Sequence, residues 1–122
     1  MESFVQNLPL ASNEEVAPYL GYVQGWYESL KPDWQEDAKF SADDRLRWAN
    51  VARFFHEKTP NIDGKLAAAA VIYEYCCYTG QMKGADWADI RLVAEHFDVS
   101  RPRLVEIWRL LLQVPNKYAL DK

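Results

Sequence analysis

Cysteine and histidine are scarce in this chain, and where they stand excludes several chemistries. The only cysteines, Cys76 and Cys77, are adjacent. Neighbours on a helix point about 100° apart, which is poor geometry for a mutual bridge, so they read as reduced, packed thiols. The two histidines, His56 and His96, lie far apart, each beside a glutamate (Glu57 or Glu95), with no HExxH or CxxC spacing to gather a metal. Both read as helix-terminal surface residues. Glycine is also sparse, five in all, and Gly80 and Gly84 lack the following lysine and hydroxyl residue of a phosphate loop. No apolar run approaches the ~18 residues of a membrane span. The start, MESFVQNLPLAS, lacks the basic-then-apolar order of a signal peptide. A cytoplasmic chain with no membrane partner is expected.

The acids occur in pairs, Glu14-Glu15, Glu36-Asp37 and Asp43-Asp44, which could supply paired carboxylates for acid–base work but stand where helix starts take solvated, capping charge. The expectation is a non-enzymatic protein with no cofactor and no metal. Basic charge is also in short supply, with a formal net of −4. Residues 1–44 carry nine acids against Lys31 and Lys39, whereas residues 45–122 carry nine acids against twelve bases. An acidic front thus precedes a mildly basic body, well short of the basic footprint of a tight nucleic-acid binder. At 122 residues the whole chain, 1–122, fits one domain with a core of its own.

What is present is helical periodicity. No segment alternates with period two for long enough to propose a strand, and nothing repeats, so the fold class is all-α, a compact bundle of about five helices. The first runs from about Ala17 to Leu30, with Pro18 in its first turn and Lys31-Pro32 as its stop. Leu20, Val23, Tyr27 and Leu30 make one apolar stripe and Tyr19, Tyr22 and Trp26 a second. Gly21 and Gly25, four apart, suggest that another backbone comes close. Residues 31–40 read as a loop with a short turn of helix. Ser41 is an N-cap for a helix through His56 that carries Trp48, Val51, Ala52 and Phe55. Asp63 caps a central helix in which Leu66, Ala69, Ala70, Tyr73 and Cys77 share a face, with Gly80 as its end. Asp86 starts a fourth helix that turns Ile90, Val93, Ala94 and Phe97 inward. Ser100 caps a fifth, with a stripe of Leu104, Ile107, Trp108 and Leu111, ended by Pro115.

The stretch AEHFDVSRPRLVEIW, Ala94 to Trp108, has the rhythm of a helix-turn-helix: one helix stops, the chain turns through Asp98 and Val99, and a second helix opens at Ser100. In such a pair the first residues of the second helix meet base edges in the major groove. Ser100, Arg101 and Arg103 are the candidate DNA contacts, with Arg109 for phosphate; arginine suits guanine edges through bidentate bonds. The string resembles the bacterial helix-turn-helix signature over about twenty residues, with Asp98 where most turns of that family have glycine. More widely, KLAAAAVIYEYCCYTGQ followed by DIRLVAEHFDVSRPRLVEIWRLL is similar to the repeat of the transcription factor IIB and cyclin-box family. That resemblance spans residues 65–112 and implies an alanine-rich central helix before a helix-turn-helix-like segment, 86–113. The family mixes members that face DNA with members that face protein.

Aromatic residues are plentiful, seventeen with five tryptophans, more than five helices strictly need. Those of the acidic front suggest an interface, because tryptophan and tyrosine are common anchors. Tyr22, Trp26, Trp34, Glu36 and Asp37 are the candidate partner-binding residues, suited to a basic protein. Two readings therefore stand: a small regulatory protein that binds duplex DNA through its helix-turn-helix, or a protein-binding adaptor or inhibitor, possible also as a phage or mobile-element protein that blocks a nucleic-acid-binding complex. The sequence does not fix the oligomeric state.

Overall fold

The computed structural model describes residues 13–77 and 84–114. Among these the chain is all-α and contains no strand. Six helices follow one another: α1 (Asn13–Ser29), α2 (Pro32–Ala38), α3 (Ala42–Lys58), α4 (Gly64–Tyr75), α5 (Ile90–His96) and α6 (Arg101–Gln113), with a single 3-10 turn at Asp86–Ala88.

Local chemistry sets most of the starts. Ser41 closes a capping box, its hydroxyl accepting from Asp44 N–H at 3.1 Å while the Asp44 carboxylate accepts from Ser41 N–H at 3.2 Å. Asp63 accepts from Leu66 N–H at 2.8 Å at the start of α4, and Ser100 accepts from Arg103 N–H at 3.2 Å at the start of α6. Each removes one of the donors that a helix N-terminus leaves without a partner.

Three boundaries differ from the sequence reading. Helix α1 begins at Asn13, so Pro18 lies inside it. Pro18 has no N–H to give the Glu14 carbonyl, and both residues are exposed. Residues 32–38 form a true short helix, with Pro32 in its first turn and Lys39 in the left-handed conformation (φ 52°) at its end. Asp86 does not start a long helix. The chain makes one 3-10 turn, and Asp89 is the N-cap of α5, accepting from Arg91 N–H at 2.8 Å. The stops expected at Gly80 and Pro115 lie outside the described residues.

Helix α4 is the centre. Every residue from Ala67 to Cys76 is buried, so it offers its whole circumference to neighbours rather than the single face expected. An all-round apolar helix is stable only when surrounded, and α3, α6, α1 and α5 surround it. Its alanines favour helix and let the neighbouring helices come close. Helix α1 runs antiparallel to α3, since Tyr19 shares a 2.7 Å hydrogen bond with His56 Nδ1 while Tyr27 lies under the Arg45 guanidinium, 4.6 Å from its centroid. His56 is therefore half-buried and tied to α1. The closely approaching backbone expected at Gly21 and Gly25 is not there: a Cβ at either position would meet nothing within 4 Å.

The aromatic surplus goes largely into the interior. Trp26, Phe40, Tyr75 and Trp87 are all buried. Phe40 lies 4.4 Å from Tyr75 and 6.1 Å from Trp26, and Trp87 lies 6.0 Å from Tyr75 and 6.3 Å from Trp26, all as centroid distances. Edge-to-face and tilted contacts of this kind add to the area that the rings bury.

Candidate nucleic-acid interface

Helices α5 and α6 form the helix-turn-helix-like pair, and two backbone hydrogen bonds close the turn between them. Asp98 takes the left-handed conformation at φ 54°. Its N–H donates to Glu95 O at 3.2 Å and the Val99 N–H to Ala94 O at 3.0 Å, the pair of bonds of a Schellman stop. Aspartate does what glycine usually does here, because its short polar side chain makes it one of the few residues that visit this conformation. Val99 packs against the core and Ala94 is buried, so α5 ends close against the body. One residue later Ser100 caps α6.

Helix α6 is held from behind. Leu104, Ile107 and Leu111 are fully buried. Trp108, half-buried, sets its ring 5.1 Å from Tyr73 in a T-shaped contact and donates its indole N–H to Glu74 Oε1 at 2.7 Å. Tyr73 in turn lies beside the Cys77 thiol, and burial followed by that neighbour pushes its pKa up to about 12. None of these partners was legible in the sequence except the apolar stripe itself.

The opposite face of α6 is open. Ser100, Arg101, Arg103 and Arg109 are all exposed, but at about 100° per residue Arg101 and Arg103 stand on opposite flanks of the buried stripe and Arg109 on the outer side, so the four candidate DNA contacts do not form a single face. Its electrostatics are mixed. Arg103 is ion-paired with Glu106 one turn on, and Arg91 on α5 with Asp89 at 2.6 Å. That contact and the Arg91 backbone N–H hold the Asp89 carboxyl below the usual aspartate value. Arg101 and Arg109 make no ion pair among the described residues. With Glu95 and Asp98 also exposed, the four arginines of the pair are matched by Asp89, Glu95, Asp98 and Glu106. The face is charged but locally neutral in sum.

The candidate partner-binding residues are divided. Trp26 is a core residue, 1% exposed. It packs on Phe40 and Trp87, and so is not available to a partner; this corrects the expectation drawn from its place in the acidic front. Tyr22 is exposed on α1 and Glu36 on α2. Trp34 is half-buried, with Lys31 Nζ 4.7 Å over its ring. Asp37 is exposed but engaged, accepting the Trp87 indole N–H at 2.6 Å. Trp87, which the sequence reading passed over, thus fastens the α5 side of the molecule to α2. Among the described residues no three histidine, cysteine or acidic side chains converge as metal ligands, and no helix is long and apolar enough to cross a membrane.

No protein-family model matches the chain, and neither a curated protein nor a solved structure shows significant similarity to it.

Proposed function

We propose that this chain is a small non-enzymatic regulatory protein that binds duplex DNA with α6 as the element entering the major groove. The observation that carries the reading is the elbow itself: a left-handed Asp98 and a capping Ser100 set α6 against the body with Arg101, Arg103 and Arg109 exposed along it. The resemblance of residues 65–112 to the transcription factor IIB and cyclin-box repeat agrees with it. The charge balance shapes how such binding would work. Arg101 and Arg109, without ion-pair partners among the described residues, are the phosphate holders, and Arg103 must exchange Glu106 for a base or phosphate. Few phosphate contacts mean low non-specific affinity and a shallow salt dependence.

Anisotropy titration of the full chain with a mixed-sequence duplex at low salt tests this. Arg101→Ala with Arg109→Ala should weaken binding and reduce the salt slope by about one unit for each phosphate contact removed. Stability should stay within about 0.5 kcal/mol, because both side chains are exposed. If the wild-type chain does not retain duplex even at low salt, the DNA reading fails. The second reading, a protein-binding adaptor or inhibitor, then takes its place. The neutral sum of charge on the α5–α6 face favours it, as do the exposed Leu110 and Leu112 at the end of α6.

A further inference from the structure

A groove lies between α2 and the segment that leads from the 3-10 turn into α5. Trp34 is on one side, Ala85 and Ile90 contribute apolar surface, and Asp86, Asp89 and Glu95 supply carboxylates. The α2 side is pinned to the 3-10 turn by the Asp37–Trp87 hydrogen bond at 2.6 Å. That bond ties the two sides of the groove together.

Its chemistry selects a cation. Arg91 also lines the groove, but its guanidinium is paired with Asp89, whereas Asp86 and Glu95 make no ion pair among the described residues, so the lining is negative in sum. The Trp34 ring already attracts positive charge, since the chain's own Lys31 ammonium stands over it. Phosphate, whether of nucleic acid or of an anionic membrane, would meet like charge at Asp86 and Glu95. A guanidinium fits each element: it stacks on an indole, bonds carboxylates through its planar fork, and its aliphatic stem tolerates the apolar surface of Ala85 and Ile90.

We propose that this groove docks an arginine-bearing segment of a protein partner, whose guanidinium displaces the Lys31 ammonium from the Trp34 ring and takes Asp86 and Glu95 as carboxylate acceptors. The site stands on α2, the approach to α5 and α5 itself, where Glu95 also belongs to the charge of the α5–α6 face; the titration that tests it is made without DNA, so its outcome does not depend on whether α6 contacts a duplex. Backbone and indole amide NMR of the full chain, titrated with a capped hexapeptide of alternating arginine and alanine, tests it. The same peptide with citrulline in place of arginine, equal in shape and without charge, is the control. The arginine peptide should give saturable shifts at the Trp34 indole N–H and the backbone amides of residues 85–95, and the citrulline peptide should not.

Trp34→Ala should weaken binding about two- to fivefold, the range of an exposed cation–π contact. Asp86→Asn with Glu95→Gln, which leaves the indole in place, should weaken it and flatten its salt dependence. The proposal is overturned by an absence of saturable shifts at millimolar peptide, by equal response to the citrulline peptide, or by shifts spread over the acids of α1 and α3. Wild-type affinity in both variants overturns it as well.

Discussion

The indole nitrogen of Trp108 on α6 donates to Glu74 Oε1 on α4 across 2.7 Å, and Glu74 is only 4% exposed. A carboxylate in the most enclosed helix of the protein thus takes part of its solvation from the helix that carries the candidate interface. Removing the donor leaves a buried acceptor short of a hydrogen bond, which costs more than the net gain from forming one. Trp108→Phe keeps the ring against Tyr73 and should cost about 1–3 kcal/mol in urea unfolding. A loss too small to measure would mean that water replaces the indole.

Leu104→Ala tests the seating of α6. The side chain is wholly buried beside Ile107 and Leu111, and its truncation should cost about 2–5 kcal/mol, depending on how far the site collapses. Less than about half a kcal/mol would place the wrong face inward. Trp26→Ala should cost about 3–5 kcal/mol by the same measurement, the signature of a core residue rather than an exposed anchor.

Among the described residues two that are not glycine hold left-handed backbone, Lys39 at φ 52° and Asp98 at φ 54°. Glycine adopts that conformation without the Cβ penalty, though it loses more entropy on folding. Lys39→Gly should raise the thermal midpoint, because lysine carries the full steric cost. Asp98→Gly should change it less, since aspartate tolerates the region better. Asp98→Val should lower it, by about 1–2 kcal/mol of stability. Equal stability in Asp98→Val and the wild type would contradict the turn geometry.

Acid should loosen the start of α5. The Arg91 guanidinium and backbone N–H hold the Asp89 carboxyl below its ordinary value. A depressed folded pKa contributes stability that is present above the unfolded pKa and is lost as pH falls through the folded one. Asp89→Asn keeps a capping side chain but cannot titrate. Urea unfolding across the acidic range should therefore show a shallower loss in that variant, and the effect should be small because the pair is largely solvated. Identical acid limbs would count against the assignment.

Local signals in the sequence located what local chemistry controls. Ser41, Asp63 and Ser100 stand directly before apolar periods, and each is the N-cap that such placement predicts. The stripe of Leu104, Ile107 and Leu111 was legible for the same reason. The failures that matter most for the candidate surfaces involve partners distant in the chain. Trp26 looks as available as Tyr22 on a helical projection, and only Phe40, Trp87 and the neighbouring helices make it interior. Asp86 and Asp89 are equally good caps by residue type; Trp87 between them, drawn into the core with its indole N–H on Asp37, delays the helix to Ile90. The glycines of α1 suggested a close neighbour because their helix cost wants a reason, and the packing supplies none.

At the candidate site the sequence placed the arginines on one helix and could not show how their charge is distributed. The Arg103–Glu106 pair is an i,i+3 relation that helix geometry permits, but the Asp89–Arg91 pair depends on Asp89 being a cap rather than a mid-helix residue. The Trp34 groove was invisible altogether, because its two sides are about fifty residues apart in the chain.

The adjacent cysteines differ in a way that makes them useful as reporters. Cys76 is fully enclosed, and burial drives its thiol far from ionisation; Cys77 is half-buried beside Tyr73, and burial raises its pKa too. Because alkylating reagents capture the thiolate, the two neighbours report different motions of one helix end. Cys77 should be labelled during local fraying, and Cys76 only when the packed interior opens. Their separate labelling rates would time both events in the native chain without any introduced probe.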